Sequence, residues 1–335
     1  ALRRHAERPP GDGADPASYG FALSPMLVSA DTLVPGQAHR DLLKALVDPP
    51  TMLGSDVVAY NEAMRGKYIV PKDLVIGVRV GDEARAYPLH VMNLHEIAND
   101  TLGGVPIAVT YSPLCDSAVA FERRVGDAVL EFGVSGLVSN SNLLMYDRQP
   151  AGSGESLWSQ LRGAAVTGPA AEAGHTLRRI PAVITHWERW LAAHPDTTVL
   201  DPDPQLRTRY KETNYVGYFR SPDVVFPIDH RPPIDTMPLK TQCVVVFAGG
   251  THRLYDLPTI AERADANGVW TDEVGGTPVV FRPLRDPIAV EVTTTDGRPA
   301  DAVNCLWFAW YAIEPGVERS GQAGAQANET AATGG

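Results

Sequence analysis

Cys115 is the residue of this sequence best placed to do chemistry. It follows a run of β-forming residues, Ile107 to Tyr111, and a Pro-Leu turn; loops leaving a rigid strand are where functional side chains are projected. Once deprotonated, a thiol there is a nucleophile or a soft metal ligand. Left protonated, it is a small buried hydrophobe, as free cysteines often are. Met92 and His95 lie three residues apart and share one face if residues 89–98 are helical. His90 and His95 are separated by about 140° around a helix and cannot chelate one ion from it. His95-Glu96 lacks the second histidine that a zincin requires, and a lone histidine beside an apolar face is more often structural than a ligand. Asp100, Asp116 and Asp147 are the nearby carboxylates, and Met145 is a second soft sulfur donor.

Three uses of these residues remain open. Cys115 and His95, with Met92 or Met145 as a third ligand, would suit copper better than magnesium or calcium, and an open coordination position would allow oxidoreductase chemistry. Alternatively, Cys115 is the nucleophile of a thiol enzyme, with His95 as base and Asp147 or Asp100 orienting it. In the third, the same residues line the pocket of a non-catalytic small-molecule-binding or assembly module.

The elements that must position these residues follow from a self-comparison. GVRVGDEARAYPL (77–89) and VVFAGGTHRLYDL (245–257) share a strand, a two-residue turn and a return strand ending in Tyr-x-Leu. The turns, Gly81-Asp82 and Gly249-Gly250, tolerate the positive φ of tight hairpins. Each hairpin precedes a segment of helical character, residues 90–99 and 259–266, and then DTLGGVP (100–106) or DEVGGTP (272–278) with a β-branched strand after it. We expect two diverged copies of one hairpin-helix-strand module. The shared Asp100 and Asp272 read as structural. The second copy has no histidine at the position of His95 and is expected to carry Arg285 opposite Cys115, so neither residue is needed to build the module.

Elsewhere, residues 118–132 predict a hairpin turning at Gly126-Asp127, and residues 137–146 and 157–161 predict strands. THWERWLAAH (185–194) predicts a helix capped by Thr185 and Glu188, with Trp187, Trp190 and Leu191 facing the core. Cys243 and Cys305 read as core strand residues, or as a disulfide if their strands meet. The expected fold is α+β and strand-dominated, a pseudo-symmetric β-rich body. Residues 1–20 are expected to be a flexible leader, 21–201 the module with the candidate site, 202–319 the diverged copy, and 320–335 a disordered polar tail.

Of the 335 residues 44% are hydrophobic, which places the chain among globular proteins. A net charge of -11 with five lysines argues against nucleic acid as a partner. No apolar run is long enough for a membrane span, so a soluble protein is expected. The sequence opens on Ala1 without a visible signal peptide, and an extracytoplasmic, periplasmic or secreted, protein is expected.

The segments ARAYPLHVMNLHEIANDTLGGVPIAVTYSPLCDSAVAF, FGVSG, MYDRQ and SLWSQLRGAAVTG resemble the family catalogued as domain of unknown function 3179, over about residues 73–201. Members are bacterial and archaeal proteins, often exported or lipid-anchored, without a general assigned activity. The family pattern reads Thr-Tyr-Cys-x-x-Cys where this chain has Thr110, Tyr111, Ser112, Pro113, Leu114 and Cys115. The resemblance thus implies a paired thiol, able to bind a soft metal or cycle as a dithiol; Ser112 removes the first thiol and with it a local dithiol cycle. The family's other positions match His95, Asn140, Met145, Asp147, Ser156, Trp158 and Gln160.

Overall fold

The computed structural model describes residues 9–63, 67–150, 154–201, 203–212, 215–285 and 287–320. A hairpin of β1 (Leu74–Val80) and β2 (Glu83–Pro88) is followed by α1 (Leu89–His95), β3 (Ile97–Leu102), β4 (Val105–Ser112) and β5 (Ser117–Glu122). Next come β6 (Phe132–Ser139), β7 (Asn142–Asp147), β8 (Ala182–His186), α2 (Trp187–Ala193) and β9 (Thr198–Leu200). The second half holds β10 (Gln242–Ala248), β11 (Thr251–Asp256), α3 (Leu257–Arg263), β12 (Trp270–Val274), β13 (Thr277–Leu284), β14 (Ala289–Thr294), β15 (Ala302–Leu306) and α4 (Trp307–Ile313). Strands dominate, as expected of a β-rich α+β protein.

The largest sheet has eight strands and runs β11-β10-β15-β5-β4-β3 before ending on Leu46–Val47, with Arg179–Ile180 paired to β5. The two halves of the chain therefore share a sheet, joined where Asn304 of β15 pairs with Ala118 of β5. A five-stranded sheet contains β8, β1, β2 and β9, and another holds β6 and β7; β12 to β14 form a third, smaller sheet. Strand alternation sorts side chains into layers. Along β4, Ile107, Val109 and Tyr111 join the core under β1, β2 and β8, whereas Ala108 faces the opposite core with Phe132, Val134 and Met145.

Several local expectations change. The helix after the first hairpin stops at His95, because Glu96 takes a left-handed conformation (φ 57°) and Ile97 begins a strand. Residues 137–146 are not one strand: Asn140 and Ser141, both with positive φ, form a two-residue hairpin turn between β6 and β7. Thr185 caps no helix; it lies in β8 and donates to Glu291 at 2.6 Å, while α2 starts from His186 without a side-chain cap. The apolar run after Cys305 leaves its strand at Leu306 and becomes α4. Of the leader, residues 1–8 lie outside the described residues, but Pro16–Tyr19 is a short 3-10 helix and Tyr19 is fully buried, so the folded body begins before residue 20. The tail beyond residue 320 also lies outside the described residues. Among the described residues no helix is long and apolar enough to cross a membrane.

Candidate functional site

The tight connection between β4 and β5 places Cys115. Its N–H donates to Ser112, its carbonyl accepts from Leu306 at 2.8 Å, and its thiol donates to the Ser141 carbonyl at 3.2 Å. The thiol is fully buried, and burial pushes its pKa up to about 12, with polar contacts from Asn142 and Ser112 offsetting only part of the shift. At neutral pH it is a thiol and not a thiolate.

His95 closes α1. Its Nδ1 lies 2.7 Å from the Lys44 carbonyl and its Nε2 3.0 Å from the Tyr210 hydroxyl. A carbonyl only accepts, so Nδ1 carries the proton and Nε2 accepts from Tyr210. Burial lowers the pKa of the ring, favouring this neutral tautomer. Both nitrogens are committed, so neither is left for a metal ion or for Cys115.

The remaining predicted residues disperse. Met92 belongs to the core under β1 and β2, Cys115 and Met145 to the core across the sheet. Asp147 stands at the far end of β7, five residues beyond Asn142 and so about 17 Å along the strand, where it accepts from the Ser156 N–H at 2.6 Å. Asp100 is held by Arg85 and Tyr87. Among the described residues no group of three or more His, Cys, Asp or Glu side chains could hold a metal ion. Met92 lies on one side of the sheet and Cys115 and Met145 on the other, while both ring nitrogens of His95 have protein partners, so the four side chains do not gather in one place. Cys243 and Cys305 meet directly in register on β10 and β15, both buried and both free thiols.

A different constellation lies beside Cys115. Ser112 and Leu114 face a cavity of about 330 Å³ whose walls also include Gln37, Leu43, Glu96, Leu137, Leu143, Tyr215 and Phe226. One wall is an N-terminal arm threaded against a break in β6: Gly36 and Gln37 both donate to the Gly136 carbonyl. Gly136 has φ 80°, and a Cβ there would lie 2.7 Å from the His39 carbonyl, so only glycine admits the arm. Glu96 supplies the carboxyl group among the described residues lining this cavity. Its N–H closes α1 on the Met92 carbonyl and its carbonyl accepts from Tyr111, which leaves the side chain on the cavity wall. It is 8% exposed, with one long contact of 3.5 Å from the Gln37 amide. Burial alone raises its pKa from the usual 4.5 to about 8. Such a carboxyl keeps its proton near neutral pH and can donate it, or lose it to a stronger base.

Glu96 was visible in the sequence only as the neighbour of His95. No spacing rule marks it, because the arm and the 215–226 segment that enclose it are distant in sequence. The other residues picked out by the resemblance belong to the frame: the Gln160 amide is fully used by Thr110, Ser117 and Asn142, and Trp158 is core.

These features define a strand-dominated α+β protein with a mostly apolar cavity whose described lining carries the carboxyl group of Glu96. The chain belongs to the family described as protein of unknown function DUF3179, whose model matches residues 50–297. No curated protein and no solved structure matches it.

Proposed function

We propose that the protein binds a small organic molecule in the Glu96 cavity, and that this site sits on the first of two diverged copies of one module. The observation that carries the binding reading is the doubly costly state of Glu96. A non-glycine residue held at positive φ and a buried carboxyl without a cation each lower stability, and such costs cluster where a site must be pre-formed. The cavity volume lies at the lower end of small-molecule sites.

The copies are supported by matched contacts. Tyr87 and Tyr255 donate to Asp100 and Asp272, and Gly103 and Gly275 each face a carbonyl at the end of the preceding hairpin strand, that of Val80 or Ala248. Trp187 and Trp190 open α2 as Trp307 and Trp310 open α4, each helix following a strand paired with the hairpin. The second copy lacks the site: α3 ends on Ala264 with φ -63° where α1 ends on Glu96. Strand register also shifts the sequence comparison. The four residues joining β13 to β14 begin at Arg285, as those joining β4 to β5 begin at Pro113, so Arg285 matches Pro113 and not Cys115.

Methyl NMR on the full chain tests the binding reading. Small organic fragments are expected to shift the resonances of Leu42, Leu114 and Leu143, and Leu143→Trp, which fills the cavity, is expected to abolish the shifts. A fragment library that moves none of them in the wild-type protein overturns the proposal.

A further inference from the structure

We infer that the ligand of this cavity is a small organic cation, an amine of roughly single-ring size, with the Glu96 carboxylate as its counter-ion. This rests on the reading of the cavity as a ligand site and names the chemistry of its occupant.

Among the described residues the other buried carboxylates are matched. Asp100 has Arg85 and Tyr87, Glu291 has Arg189 and Thr185, Asp116 has Tyr111 and Gln242, and Asp147 has the Ser156 N–H. Among the described residues Glu96 has the distant Gln37 amide as its hydrogen-bond partner, and burial is the cause that raises its pKa. A buried carboxyl without a cation favours the partner that brings one, since an ammonium group lets it give up its proton and pair as a carboxylate, whereas an uncharged ligand of the same shape leaves it protonated and without an ionic partner.

The walls favour an organic over an inorganic cation. Tyr215 and Phe226 line the cavity, and aromatic faces attract ammonium groups. A calcium ion takes about six to eight oxygens and magnesium nearly ideal octahedral geometry, whereas this cavity offers one carboxylate among mostly apolar side chains. Leucine and valine side chains instead suit the hydrocarbon part of an amine. The net charge of -11 raises the local concentration of cations around the whole molecule.

Benzylammonium, benzyl alcohol and benzoate share a shape and differ in charge, and calorimetric titration of each into the full chain at neutral pH tests the assignment. Benzylammonium is expected to bind about tenfold or more tighter than the alcohol, a difference of one power of ten in Kd, and benzoate is expected not to bind. Titrations in two buffers of different ionisation heat are expected to show a proton released on amine binding. That proton comes from Glu96: the arm contributes Gln37, β4 contributes Ser112, β6 and β7 contribute apolar groups, and Tyr215, with a pKa raised to about 12, does not titrate there. Glu96→Gln is expected to erase the preference while alcohol binding persists, and Leu143→Trp to abolish binding of every probe. Alcohol binding as tight as the amine, or amine binding without proton release, overturns the cation and leaves the ligand site standing. No binding by any probe, or binding untouched by Leu143→Trp, overturns both.

Discussion

The Tyr87 hydroxyl donates to Asp100 at 2.6 Å, joining the hairpin strand β2 to the strand β3 beyond α1. Tyr255 stands in the same relation to Asp272 at 2.8 Å. The first pair is deeper: the Asp100 side chain is 5% exposed and lies 2.6 Å from Arg85, whereas Asp272 is 33% exposed and lies 3.8 Å from Arg253. Removing one donor from a buried charged acceptor costs about 1.5–3 kcal/mol, and a more solvated one about 1 kcal/mol. Tyr87→Phe is therefore expected to lower unfolding free energy roughly twice as much as Tyr255→Phe. Urea denaturation of the two variants checks this; equal losses would contradict the difference in burial.

Glu96 sets the sign of one pH dependence. Its folded pKa of about 8 lies above the unfolded value of 4.5, so between these limits the folded state holds a proton that the unfolded state has lost. Stability attributable to this group is complete below the unfolded value, falls as pH rises through the window, and levels off above about pH 8. Glu96→Gln removes the slope. It is expected to be more stable than the wild type at pH 8 by a few kcal/mol, an order-of-magnitude figure from the size of the shift, and similar to it at pH 4. Denaturant midpoints across this range provide the measurement.

His95 works in the opposite direction. Burial holds its folded pKa below the usual 6.5, so its contribution is present above the unfolded value and is lost as pH falls through the folded one. Tyr210→Phe leaves Nε2 without its donor and is expected to cost about 1–3 kcal/mol near neutral pH. Urea denaturation at neutral pH reads the loss, and an unchanged unfolding midpoint would contradict the hydrogen bond between Nε2 and the Tyr210 hydroxyl.

The frame of the protein was largely legible and the proposed cavity site was not, for one physical reason. Tight turns such as Gly81-Asp82 and Gly249-Gly250, and the strand alternation beside them, are written in neighbouring residues. The turn at Asn140-Ser141 was missed because neither residue is glycine and the flanking residues form one apolar run; only the positive φ values reveal it. Thr185 looked like a cap because threonine before an amphipathic stretch satisfies the local rule, yet pairing with β1 continues to His186 and the helix starts after it. Cys115 and His95 were singled out by type, and the fold then gave each its own partners. Glu96 depends on an arm near residue 37 and a segment near residue 215, contacts that no local window contains.

Cys115 supplies the sharpest chemical prediction. A thiol whose pKa is pushed up to about 12 has almost no thiolate at pH 8, and its buried sulfur is already donating to the Ser141 carbonyl. Cys243 and Cys305 are equally buried, and burial raises both well above the usual cysteine value. The native protein is expected to resist iodoacetamide at pH 8 at all three positions, while all three label once denaturant opens the core. Mass spectrometry with peptide mapping reads the result. Alkylation of native Cys115 faster than that of a model thiol at the same pH would require a stabilised thiolate, and would restore the thiol-enzyme reading against the Glu96 cavity.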